Sequence, residues 1–273
     1  MKKFSIITLL LFTIFFASNI NSYSQDVVVL GTSHINDNLS GVLNDINVGF
    51  NNADFTDSNW QQALTGNLGT FNALIAAESY FDQNGGSLST ATNTQILNYV
   101  QNGGCLIAIG DHDDDESSFL NSIFGYSTTG NSTSSDESVT GGTIQAGATG
   151  TVFQGGPGEV RFLDLTTALT NTPGTTIYES AGGSVPAGVL VFFDQVGSGN
   201  VIWLGWDYCC GNSQSNIDDW AEVLRRALLL CPNVFVVEPA PTLSEWGFIS
   251  FALLSGLTAL WFIRRKQVLG ARN

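Results

Sequence analysis

Positive charge is scarce in the long central part of this 273-residue sequence. From residue 26 to residue 237 it has only three basic side chains, Arg161, Arg225 and Arg226, against 22 acidic ones. Such a surface repels nucleic acid and anionic lipid, so we expect neither as a partner of this region. The excess of carboxylates suits either an ordinary soluble acidic surface or the attraction of cations.

Histidine and cysteine are also rare, with two and four residues in the whole chain. No C-x-x-C pair is present, which argues against a structural zinc site of that kind. Neighbouring residues such as Cys209 and Cys210 seldom reach disulfide geometry, so we predict that one of them, Cys210, bonds Cys231. Four cysteines permit three complete connectivities, and the sequence does not choose among them. Cys105 begins an apolar segment, where a thiol behaves as a small buried hydrophobe.

The first 24 residues have the pattern of a secretory signal peptide. Two lysines precede an apolar run, residues 4–17, and small residues at Ser22 and Ser24 fit cleavage before Gln25. The run is short for a membrane span, although an uncleaved N-terminal anchor is the alternative. We therefore predict an exported protein whose mature chain begins near Gln25.

The C-terminal end has the pattern of a single membrane span. Residues 246–263 form an uncharged run of 18 residues, which as a helix is roughly 27 Å long and matches the apolar core of a bilayer. Arg264, Arg265 and Lys266 follow it and should stay in the cytoplasm. The predicted organisation is an acidic ectodomain at 26–237 outside the cytoplasm, a linker and motif at 238–247, a transmembrane helix at 246–263 and a basic tail at 264–273.

The ectodomain begins with alternating strand and helix patterns. Val27–Leu30, Ala73–Ala76 and Cys105–Ile109 are short apolar runs typical of strands that are buried on both faces. Helical spacing of apolar residues follows the first run from Leu39 to Ile46 and precedes the third run from about Ser89 to Val100. This alternation predicts an α/β fold with a mostly parallel sheet.

The second half of the ectodomain is richer in β patterns. Residues 127–150 are rich in Ser, Thr and Gly and predict a surface loop or an exposed hairpin within an inserted β-rich segment. Gly188–Phe193 and Val201–Trp206 flank a glycine-containing turn and predict an antiparallel hairpin. A last helix, Ser215–Leu230, should pack on the sheet beside Trp203 and Trp206.

The C-terminal pattern resembles a known protein-sorting signal, the IPTL-CTERM family of Gram-negative bacteria. The match lies in the apolar helix, in the basic triplet behind it and in a motif before it, Pro241, Thr242, Leu243, Ser244, Glu245, Trp246 and Gly247. Ala240 stands where the family usually has Ile or Val before the proline. The resemblance implies that an exosortase-type enzyme recognises the chain, cleaves it near the motif and attaches it at the cell surface. The alternative is an ordinary single-span anchor.

A second resemblance lies in the ectodomain. Residues 96–110, with Gly103-Gly104 between an apolar helix and an apolar strand, are similar to the core of class I glutamine amidotransferase-like and trehalose-utilisation-type domains. So is the segment from Gly188 to Trp206 with its following helix. The resemblance implies a flavodoxin-like fold. Glutaminases of that superfamily carry a nucleophilic cysteine after the corresponding strand, where this chain has Asp111, so glutaminase activity is not implied.

The polar residues best suited to catalysis or to ligand binding lie at the ends of the predicted strands. Ligands of open α/β sheets bind outside the carboxyl ends of the strands. The candidate catalytic residues at these ends are His34, Asp111, His112 and Asp207. Two histidines with carboxylates could bind a divalent metal or act as acid and base in a hydrolysis, whereas short polar residues at strand ends often serve only as caps.

Three aspartates alternate in the manner of a calcium-binding loop. Asp111, Asp113 and Asp115 offer oxygen ligands, which hard cations such as calcium prefer. Glu116 stands where an EF-hand turn needs glycine, and Ser122 stands where the loop needs a final carboxylate. Calcium is therefore a candidate cofactor here, and a solvated helix N-terminus is the alternative.

These patterns lead to two functional interpretations. The leading one is a cell-envelope protein, tethered to the membrane and sorted to the surface, with a ligand-binding or structural ectodomain and no catalysis. The alternative is a hydrolase-like or metal-dependent enzyme of the glutamine amidotransferase-like superfamily that uses the strand-end residues. The sequence names no ligand for either.

Overall fold

The computed structural model describes the central part of the chain, residues 27–31, 38–66, 68, 71–77, 88–110, 115–133, 141–163, 166–208 and 213–232. The predicted signal peptide, the sorting motif and the predicted transmembrane helix at 246–263 lie outside these residues. Within them, no helix combines the length and the apolar character that crossing a bilayer requires. All of them belong to the first of two compact units, which are divided after residue 236.

One sheet of eleven strands organises the described residues. Five of its strands run parallel, in the spatial order β2-β1-β3-β4-β11. Their bounds are Val27–Leu30 for β1, Phe50–Ala53 for β2, Ala73–Ala76 for β3, Cys105–Ile109 for β4 and Gly199–Leu204 for β11. The predicted α/β class with parallel strands is confirmed.

Helices cover both faces of the parallel strands. On one face lie α1, Ser40–Asp45, and α5, Gln214–Leu229, which we call the α1/α5 face. On the other lie α2, Asp57–Leu64, α3, Thr90–Gln101, and α4, Asp115–Phe124, the α2–α4 face. Every residue of β1, β3 and β4 is buried, which explains why these strands have no polar side chain.

The rest of the sheet is antiparallel and contains the β-rich segment. It consists of β5, Thr129–Thr133, β6, Gly142–Ile144, β7, Glu159–Val160, β8, Thr166–Thr170, β9, Thr175–Ala181, and β10, Ala187–Val196. The hairpin of β10 and β11 is confirmed. The hairpin considered for residues 127–150 is wrong, because β5 pairs with β8 and β6 pairs with β7 and β9. Each strand finds a partner that is distant in sequence, which local composition does not reveal.

The last helix packs beside only one of the two predicted tryptophans. The rings of Trp206 and Trp220, on α5, have centroids 6.1 Å apart. Trp203 lies in the opposite core layer, on the α2–α4 face. Side chains of an extended strand alternate between faces, so residues three apart point to opposite sides. The prediction is correct for Trp206 and wrong for Trp203.

The predicted disulfide between Cys210 and Cys231 is wrong, because Cys231 is bonded to Cys105. Strand β4 begins at Cys105, and α5 brings the chain back to that same amino edge of the sheet. The two Cα atoms are therefore 5.2 Å apart. Beside them, Asn200 Nδ2 donates a hydrogen bond to the carbonyl oxygen of Leu230 at 2.9 Å. Cys105 is buried as predicted, but as a cross-link rather than a free thiol.

We expect the double substitution Cys105→Ala and Cys231→Ala to lower the free energy of unfolding by about 2–5 kcal/mol. The bond joins residues 126 positions apart, so its loss gives the unfolded chain much conformational freedom. Urea denaturation of both proteins measures the difference, with a Cys210→Ala variant as the control that retains the bond. If reductant destabilises the double variant as much as the parent, the bond is not the cause.

Candidate functional site

The five parallel strands end along one edge of the sheet, which we call the carboxyl edge. In the sheet, β2 lies on one side of β1 and β3 lies on the other, so the strand order reverses at β1. In open α/β sheets such a reversal of strand order marks the crevice in which ligands bind. The residues directly after the strands, among them Gly31, Ala77, Gly110 and Gly205, therefore border the candidate site.

Of the four candidate catalytic residues, the described residues include one. Asp207 follows β11 at the carboxyl edge and is 1% exposed. His34, Asp111 and His112 lie outside the described residues. The strands before them, β1 and β4, do end at the same edge as β11, as the sequence predicted.

The residues that flank Asp207 determine which side of the sheet it takes. Trp206 and Tyr208 both belong to the core layer of the α1/α5 face. Because side chains of extended backbone alternate, Asp207 lies on the opposite side, together with Trp203. The buried carboxylate is thus directed toward the α2–α4 face.

Tyr208 has an unusual backbone conformation that ends this extended segment. Its φ is 61°, in the left-handed region that costs a bulky residue about 1–3 kcal/mol. Two hydrogen bonds support it: the Tyr208 hydroxyl donates to the Trp220 carbonyl at 2.9 Å, and the Tyr208 carbonyl accepts from the Asn38 amide at 3.1 Å. Complete burial raises the pKa of the Tyr208 hydroxyl well above its ordinary value. The phenol therefore remains neutral and keeps donating.

Glu116 is a second buried carboxylate at this edge, 1% exposed, and it is not among the site residues that the sequence predicted. It lies in the first turn of α4, the helix that follows β4. Phe119 and Leu120, three and four residues later, are buried on the α2–α4 face. That spacing places Glu116 on the stripe of α4 that faces the sheet, a signal that the sequence contained.

The aspartates of the predicted calcium loop are only partly described. Asp115 is the first residue of α4, so helix begins at the fifth position of the predicted loop, before the sixth position at which an EF-hand loop turns sharply. Asp111 and Asp113 lie outside the described residues. Within the part of the chain that the structure describes, no group of three or more His, Cys, Asp or Glu is placed to hold a metal ion.

Three side chains at the carboxyl edge bury an atom that has no described hydrogen-bond partner. These atoms are the Oγ1 of Thr167 and the Nε1 of Trp203 and of Trp206. The Trp203 ring lies against Gly110, since a Cβ added there would come within 2.9 Å of it. Thr167 adjoins Gly205, because its amide donates to the Gly205 carbonyl at 2.7 Å. Native proteins leave few buried polar atoms unpaired, so each invites an explanation.

Thr167 lies on the same side as Asp207. Its neighbour Thr166 forms a β-bridge with Trp206 and is hydrogen-bonded through Oγ1 to Leu163, a residue of the α1/α5 layer. Alternation then directs Thr167 toward the α2–α4 face. Glu116, Thr167, Trp203 and Asp207 together form what we call the polar edge cluster.

Comparison with known proteins adds information about the fold. No protein-family model matches the chain, and a search of curated proteins gives no match either. Among solved structures, the β-galactosidase from Rahnella sp. R3 superposes with a TM-score of 0.52 at 12% identity, over 76% of this chain and 32% of that one. The mmIFT52 N-terminal domain superposes with a TM-score of 0.51 at 12% identity, over 75% of this chain and 97% of that domain.

These likenesses concern the fold alone, because so low an identity does not carry activity from one protein to another. The chain spans about a third of the length of the β-galactosidase that it resembles. The match to mmIFT52 covers nearly all of a separate domain. The α/β arrangement of this chain is therefore one that other proteins also use.

We expect Thr166→Val to destabilise the protein and Thr167→Val not to destabilise it. The Thr166 hydroxyl donates to the Leu163 carbonyl at 2.9 Å and accepts from its amide at 3.1 Å, so valine should cost about 1–3 kcal/mol. The Thr167 hydroxyl has no described partner, so valine there should be neutral or stabilising. Urea denaturation of the two matched variants checks this. An equal loss in both would mean that the Thr167 hydroxyl is paired.

Proposed function

We propose that this chain is an exported, membrane-tethered cell-envelope protein, sorted to the surface, whose ectodomain binds a ligand without catalysing a reaction. The ectodomain is the acidic region 26–237, and the ligand site is the carboxyl edge of its sheet. The single observation that best supports export is the disulfide between Cys105 and Cys231. Disulfides persist in oxidising compartments and are rare in the cytosol.

The two ends of the chain support the same proposal from sequence. Residues 1–24 have the pattern of a signal peptide, and residues 246–263 followed by Arg264–Lys266 have the pattern of a span with its cytoplasmic charges. The motif at 241–247 resembles the IPTL-CTERM sorting signal. An exosortase-type enzyme is accordingly the partner that we propose.

The proposed ligand site is supported by the topology and by the polar edge cluster. The order β2-β1-β3-β4-β11 is the 2-1-3-4-5 order of flavodoxin-like sheets, and we assign the domain to that type. Cys105 is bonded at the opposite edge, so it is not a candidate nucleophile. Asp207 and Glu116 give the carboxyl edge two buried carboxylates, of the kind that orient a ligand.

A hydrolase-like enzyme, with or without a metal, is the second candidate. The observation in its favour is that two carboxylates are buried after neighbouring strands, Asp207 after β11 and Glu116 in the first turn of α4, which follows β4. In many enzymes, two carboxyl groups in different environments act as the general acid and the general base. In this proposal His34, Asp111 and His112 would act with Asp207.

Mass spectrometry of the protein purified from its native envelope tests the leading proposal. We expect a mature N-terminus near Gln25, a C-terminus within or shortly after residues 241–247, and a peptide pair joined through Cys105 and Cys231. Recombinant protein kept in the cytosol is the control for unprocessed ends. Recovery of the native protein from the cytosol with both ends intact and the cysteines reduced would contradict export, tethering and sorting together.

A further inference from the structure

We propose that the disulfide between Cys105 and Cys231 is a mechanical clamp, which transmits tension from the C-terminal tether to strand β4 and keeps it off helix α5. This inference rests on the proposed membrane tethering, because an anchored domain is pulled from its C-terminal end. It is carried by the positions of the two cysteines in the chain and in the fold.

Cys231 lies between α5 and the predicted membrane anchor. Helix α5 ends at Leu229, Cys231 follows two residues later, and the linker and motif at 238–247 come after it. Tension on the linker therefore reaches Cys231 before it reaches α5. From Cys231 a covalent path leads directly to Cys105, whose Cα atom is 5.2 Å away.

Strand β4, which begins at Cys105, is well placed to receive this load. It is an interior strand, aligned with Ala73–Ala76 of β3 on one side and with Asn200–Leu204 of β11 on the other. Backbone hydrogen bonds to two neighbours thus hold the strand that is pulled. All five residues of β4 are buried, so water does not compete for these bonds.

Helix α5, by contrast, is attached to the sheet through side chains. Its inward stripe is buried on the α1/α5 face, but in its last turn Leu229 is 41% exposed. The hydrogen bond from Asn200 Nδ2 to the Leu230 carbonyl holds the end of the helix at 2.9 Å. A pull on this end would load such contacts one after another, beginning at the last turn. The disulfide spares them, because the load leaves the main chain at Cys231.

The clamp also encloses a large part of the domain. The two cysteines are 126 positions apart, and the segment between them contains α4, β5–β11 and α5. Fully extended, a span of that length measures about 42–45 nm. While the bond is intact, tension between the two ends of the domain cannot draw out this length, because the covalent path bypasses it. The end of β11, which borders the proposed ligand site, lies within the enclosed segment.

Pulling on the full-length protein in detergent with optical tweezers tests the inference. One handle is attached through a peptide tag at the mature N-terminus near Gln25, and the other through a tag inserted after Glu238. The parent and Cys210→Ala, which both keep the bond, are compared with the double variant Cys105→Ala and Cys231→Ala. Cys105→Val with Cys231→Ala leaves less empty space in the core and serves if the alanine form does not fold. Circular dichroism verifies that each variant is folded.

We expect the forms without the bond to show an early step at low force, in which α5 detaches. Its 16 residues release about 5–6 nm of chain. The N-terminal handle should hold longer, because it pulls on β1, which is paired on both sides by β2 and β3. The parent and Cys210→Ala should lack this step. Their complete unfolding should release about 42–45 nm less chain, since the bond joins residues 126 positions apart.

Three results would overturn the clamp. They are an α5 step in the oxidised parent, the absence of that step in the forms without the bond, and equal total lengths in all forms. None of them depends on where the protein is located, because the pulling experiment uses purified chains. Failure of the proposed tethering is recognised separately, by native protein recovered from the cytosol with both ends intact.

Discussion

The parallel pairing of β1, β3, β4 and β11 is the constraint on which the other features of the domain depend. These strands are buried on both faces, so they require helices on both sides and contain almost no polar side chain. Parallel pairing also aligns all their carboxyl ends. Buried polar groups are therefore concentrated where the strands end, at one edge of the sheet.

The two edges of the sheet have different roles. At the amino edge, the bond between Cys105 and Cys231 fastens the end of α5 to the start of β4. At the carboxyl edge, no disulfide joins the described residues, and the polar groups gather around β4 and β11. They lie beside the β1/β3 reversal rather than at it. The disulfide therefore lies at the edge opposite the proposed ligand site.

The two faces at the carboxyl edge also differ. On the α1/α5 face, the rings of Trp206, Tyr208 and Trp220 pack closely, with centroids 4.7 Å apart for Trp206 and Tyr208. Tyr208 keeps a left-handed backbone conformation there because its carbonyl and its hydroxyl are both hydrogen-bonded. This packing leaves the intervening Asp207 on the other face. An apolar cluster on one side thus determines where the carboxylate lies on the other.

The sequence by itself determined the α/β class, the bounds of the strand Cys105–Ile109 and the last helix to within a residue, because apolar periodicity and Gly-Gly breaks act over short distances. The faces of Trp203 and Trp206 and the stripe position of Glu116 were also implicit in their spacing. Only the tertiary structure decided that Cys231 meets Cys105, that β5 pairs with β8 and that Glu116 is buried beside the strand ends. Those contacts join segments that are distant in sequence and depend on the topology of the chain. Short-range sequence patterns do not specify that topology.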